Sequence, residues 1–136
     1  MSFLSKLFGL FKKPEVQQET KSYDSDYQNN FNFDDEYFAR IINVVNFPEC
    51  TFERDVHPSV YDFNAHPSCL PVTIMIKKGG TPVLAVMIMK ENQRNAMIAR
   101  GTYSILEDNG IKYIRFYREM PNEKYYVINR VRENLI

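Results

Sequence analysis

A chain of 136 residues, 44% hydrophobic and 25% charged, is sized for one compact domain with a closed core. Its 17 Lys and Arg balance 17 Asp and Glu, so the formal net charge of zero argues against a general nucleic-acid binder held by bulk charge. No apolar run approaches the ~20 residues that a spanning helix requires, and a cytoplasmic protein is expected.

The charge is unevenly spread. Residues 1–13 hold Lys6, Lys12 and Lys13 and no acid, while Phe3, Leu4, Leu7, Phe8 and Phe11 recur at helical spacing up to Pro14. This pattern predicts a short amphipathic helix that Pro14 stops. Cations follow the apolar residues and no small-residue cleavage site appears, which disfavours a signal peptide. Ser2 excludes the myristoylation motif. A helix this short is marginal alone in water. Its apolar stripe therefore suits an anionic membrane surface, a groove on a protein partner, or its own domain, and peripheral attachment to a membrane is one expectation. Residues 14–32 are polar and acidic, with Glu15, Glu19, Asp24 and Asp26 against Lys21, and read as a flexible linker.

The folded domain is expected over residues 33–136, as an α+β unit ordered helix-strand-strand-strand-helix-strand-helix. Asp34 or Asp35 caps a first helix with Phe38, Ile41, Ile42 and Val45 on one face, ending before Pro48. A strand over Thr51–Val56 leads to a loop rich in Pro, Asn, Asp and His from His57 to Ser68. Leu70–Lys77 and Val83–Lys90 form a hairpin around Lys78-Gly79-Gly80-Thr81. Their nearly continuous apolar runs predict strands covered on both faces. A helix over Arg94–Asp108 stops at Asn109-Gly110. Gly101, inside it, costs about 1 kcal/mol relative to Ala, and close packing onto the sheet would explain it. A strand over Ile111–Tyr117 follows, then a last helix capped by Asn122 and burying Val127, Ile128, Val131 and Leu135.

Two features carry a family likeness. The apolar strand Val83–Lys90 delivers a lysine at its end, and Arg94 is followed by Gly110-Ile111-Lys112-Tyr113-Ile114-Arg115-Phe116. With the element order, these residues resemble the very-short-patch-repair-like branch of the restriction-endonuclease-like, PD-(D/E)xK superfamily. The resemblance implies a metal-dependent phosphodiesterase site at the hairpin end, with an acid two residues before the lysine. Here that position is Ile88, which offers no lone pair to a metal. An active site would have to use Asp62, Glu91 and Lys90 with Mg²⁺ or Mn²⁺, Glu91 having migrated into place. The expectation is a degenerate site: a non-catalytic binding or adaptor protein with no cofactor. A nucleic-acid module without chemistry is the other alternative, with Arg94, Arg115 and Arg118 on phosphates and Tyr113, Tyr117, Tyr125 and Tyr126 for stacking.

Other chemistries find less support. His57 and His66 each precede Pro, which shapes an extended loop, and their spacing matches no zinc pattern. Cys50 and Cys69 have no CxxC spacing and read as reduced, buried thiols. Cys69 opens a strand, where neither a helix N-terminus nor a cation would activate it. Serine-hydrolase, P-loop and dinucleotide glycine motifs are absent from the sequence.

Overall fold

The computed structural model describes residues 33–136, so the expected tip helix and acidic linker lie outside the described residues. The described chain is α+β: α1 (Asp35–Ala39), β1 (Thr51–Val56), β2 (Val72–Lys78), β3 (Thr81–Met89), α2 (Met97–Asp108), β4 (Lys112–Tyr117) and α3 (Lys124–Asn134). Short 3₁₀ turns at Pro58–Val60 and Glu91–Gln93 interrupt the connections. The sheet runs β1-β2-β3-β4, antiparallel except for the parallel β3/β4 pair.

The hairpin turns on Gly79 (φ 57) and Gly80 (φ 81), between the paired residues Lys78 and Thr81. Two successive positive φ values suit a two-residue turn whose twist matches the strands, and glycine adopts them without a Cβ clash. A register shift beside Ile76 and Lys77 then places Pro82 opposite Lys77. Irregular pairing of this kind tolerates a residue without an N–H.

Both sheet faces are covered, as the continuous apolar runs require. Met75, Ala85, Met87 and Met89 pack with Ala99, Tyr103 and Leu106 of α2. Alternation along the strands turns Leu84, Val86 and Ile88 to the opposite face, beside their neighbours Ile74, Ile114 and Phe116. There Phe116 meets the ring of Phe38 at 5.3 Å and the ring of Tyr126 at 6.0 Å, which brings α1 and α3 onto that face. Val127, Ile128 and Val131 of α3 are buried.

Several expectations are corrected. The first helix has only five residues, and Val45 is 82% exposed. Asn43 Nδ2 donates to the carbonyls of Ala39 and Arg40, and Asn46 Nδ2 to that of Ile41. Short amide side chains thus take over carbonyls that a longer helix would have used. Asp34 is the cap, accepting from Tyr37 N at 2.9 Å, which leaves Asp35 free for another contact. The second helix starts at Met97 rather than Arg94, because Glu91–Gln93 forms a separate turn stabilised by Lys90 N donating to Gln93 Oε1. Glu123, not Asn122, caps α3, accepting from Tyr126 N at 3.0 Å. Asn122 is buried and sends its amide to the carbonyls of Tyr117 and Met120. Leu135 is only half-buried. Gly101 faces the thiol of Cys69 rather than the sheet: a Cβ there would lie 2.9 Å from Sγ. Cys50 and Cys69 are both free and buried.

Candidate functional site

At the C-terminal end of β3 the regular ladder breaks down. Asp55 takes a positive φ of 55° between the pairs Arg54↔Ile74 and Val56↔Val72. Aspartate is among the few side chains that adopt this backbone readily. On the neighbouring strand the buried Thr73 accepts a hydrogen bond from Ile88 N through its hydroxyl, at 3.0 Å. The result is a cleft of about 170 Å³ whose lining includes Asp35, Asp55, Thr73, Ile88, Gln93 and Arg118.

One cation is built into this cleft. Arg118 continues beyond β4, and its N–H donates to Met89 O at 2.8 Å. Its guanidinium donates to Asp35 Oδ1 at 2.7 Å, to Phe33 O at 3.2 Å and to Ile88 O at 3.4 Å. Phe33 N donates in return to Arg118 O. A charge-assisted fork of this kind fixes direction as well as charge. Three oxygens converge on a cation at the strand end, and the cation is covalently part of the chain. A divalent ion entering the cleft would have to compete with this guanidinium for the Asp35 carboxylate and the two carbonyls.

Asp62 and Glu91, expected to act in metal catalysis, each bond to other residues. Asp62 closes a local turn, accepting from Asn64 N at 2.9 Å. Glu91 and Lys90 are exposed. The Glu91 carboxylate pairs with Arg94 at 3.2 Å, in a shallow recess completed by Asn92 and Asn95. Glu91 N donates to both carboxylate oxygens of Glu119. Ile88 is 6% exposed, its side chain on the face that meets α1 and α3. Among the described residues, no three His, Cys, Asp or Glu are grouped to hold a metal ion. His57 and His66 each fold back on a nearby serine, His57 on Ser59 and His66 on Ser68.

The arginines considered for phosphate contact have protein partners. Arg94 holds Glu91, Arg118 holds Asp35, and the Arg115 guanidinium lies 5.2 Å from the centre of the Tyr103 ring. Tyr103 and Tyr113 stack at 4.8 Å, with Tyr113 donating to Glu107 at 2.8 Å. Burial holds both phenols above their ordinary pKa; Arg115 opposes this at Tyr103, and the bond to Glu107 adds to it at Tyr113.

Sequence reasoning singled out Arg118 for another role and Asp35 only as an alternative cap. Their pairing spans 83 positions, a separation that leaves no local signal. Thr73 was also missed as a site residue, and Asp55, an acid near the end of the polar strand Thr51–Val56, was not joined to this cleft.

No family model matches this chain, and comparison with curated proteins and with solved structures finds no match to it. No described helix is long and apolar enough to cross a membrane.

Proposed function

We propose that this chain is a non-catalytic adaptor built on a restriction-endonuclease-like domain with a degenerate active site. Residues 33–136 serve as the interaction module in this reading. The N-terminal segment, with Phe3, Leu4, Leu7, Phe8 and Phe11, attaches the chain to a partner or a membrane surface from the cytoplasmic side.

The order of elements supports the family reading, and Ile88 in place of an acid supports the degenerate site. One observation carries the non-catalytic part: the Arg118 guanidinium sits between Asp35 and the carbonyls of Phe33 and Ile88 at the strand end. Phosphodiester hydrolysis by this route needs a hard divalent cation polarising phosphate and water. A guanidinium neutralises the same oxygens but cannot ligate or activate a water. The test incubates the full chain with single- and double-stranded DNA and RNA in Mg²⁺ or Mn²⁺. The expected result is no cleavage above buffer. Cleavage that Glu91→Ala or Asp62→Ala abolishes would overturn the reading in favour of a migrated metal site.

A further inference from the structure

We propose that the open edge of β4 receives an extended, acidic peptide strand from a protein partner, an inference that rests on reading the domain as an interaction module. In a parallel ladder, alternate residues turn both backbone groups to the same side. The bond from Arg118 N to Met89 O puts the even-numbered residues toward β3. Tyr113, Arg115 and Tyr117 therefore direct their N–H and C=O groups to the open side.

Two of those carbonyls are already covered. Arg130 Nη1 donates to Arg115 O, and Asn122 Nδ2 and Met120 N donate to Tyr117 O. No described residue accepts from the N–H groups of Tyr113, Arg115 or Tyr117. The edge thus presents donors in excess of acceptors. A second copy of β4 would bring the same excess and pair poorly, whereas an extended peptide brings unbonded carbonyls for these N–H groups.

The groove along this edge has a volume of about 390 Å³, and its lining includes Arg115, Arg130, Tyr117, Tyr126 and Met120. No acid is among its lining residues. Met120 and Tyr126 are 47% and 48% exposed. Cations and apolar surface side by side suit a strand alternating acidic and apolar side chains, with backbone bonds giving affinity and side-chain contacts giving specificity. The opposite edge is less suited to such pairing. There Glu53 pairs with Lys77, Arg54 pairs with Glu36, and Asp55 breaks the ladder. A nucleic acid fits the groove less well: two arginines on one short edge, in a chain of zero net charge, do not make the extended basic track that a phosphate backbone needs.

The test titrates the full, ¹⁵N-labelled chain with blocked octapeptides alternating Asp or Glu with Val, Ile or Phe. Matched peptides carrying Lys and an oligo-dT strand are run beside them. Members of the acidic set are expected to shift the Tyr113, Arg115 and Tyr117 amides and slow their exchange by about tenfold or more. N-methylation of alternate peptide residues should abolish binding, and Arg130→Gln should weaken it about fivefold or more. The proposal fails if no acidic peptide moves those amides at millimolar concentration. It fails equally if Lys peptides bind as well, if oligo-dT binds more tightly, or if the amides are already protected by self-association. Nuclease activity is read in a separate assay, so catalysis would end the adaptor reading without touching the edge result.

Discussion

Arg118 ties three parts of the chain together: Phe33 and Asp35 from the start of the domain, Ile88 and Met89 from the end of β3, and its own position after β4. The ion pair is partly exposed, with side-chain exposures of 25% and 34%, so its Coulomb energy is moderated by solvent. Loss of several charge-assisted bonds should still cost about 2 kcal/mol. Arg118→Met is therefore expected to lower the unfolding free energy by about that amount, read as a lower urea midpoint with an unchanged slope. Arg118→Lys should recover little, since one ammonium cannot span Asp35 and two carbonyls as a planar fork does.

The stacked tyrosines make a second statement at this scale. Burial is the main reason that the folded state holds the Tyr103 and Tyr113 protons beyond the ordinary value. Folded protein therefore binds more protons than unfolded chain in the alkaline window, and stability falls there as pH rises. Below about pH 10 the contribution is constant. Denaturation measured from pH 8 to pH 11.5 should show a decline setting in near pH 10, and Tyr113→Phe should make it shallower.

Elements show how far local rules reach. The strand Thr51–Val56, the hairpin around Gly79-Gly80 and the helix stop at Asn109-Gly110 follow from turn chemistry and periodicity, and they stand where the sequence places them. Helix starts were less legible. Asn43 and Asn46 truncate α1 and Gln93 detaches a turn from α2, through side-chain bonds that apolar spacing does not encode. Asn122 has the chemistry of a cap, yet tertiary packing buries it and leaves that role to Glu123. The expectation for Gly101 was right in kind but wrong in partner, because Cys69 reaches α2 through a loop of unpredictable course. That contact can be tested by a double-mutant cycle. Gly101→Ala gains about 1 kcal/mol of helix propensity but drives its methyl against Sγ. It should be neutral or destabilising in the native background, and should stabilise by about 1 kcal/mol in Cys69→Ala, with the coupling read from chemical denaturation.

At the scale of the whole molecule, helices on both faces of a four-stranded sheet leave function to the strand ends and the two edges. Composition and element order made this layering readable. The cleft was not, because its members come from distant positions: Asp35, Asp55, Thr73, Ile88 and Arg118 meet only after the sheet has formed. Charge balance over the whole chain carries a further consequence. Seventeen cations against seventeen acids provide no long-range attraction to a polyanion, so recognition has to be short-ranged and shape-dependent.

On the proposed reading, the Arg118 guanidinium takes the place of a divalent cation at the end of β3. Titration of the full chain with Mn²⁺, followed by paramagnetic broadening of the Asp35, Thr73 and Ile88 amides, tests it most directly. The account expects no saturable broadening and no metal-dependent rise in melting temperature. Saturable broadening at those amides, with a matching gain in stability, would contradict it.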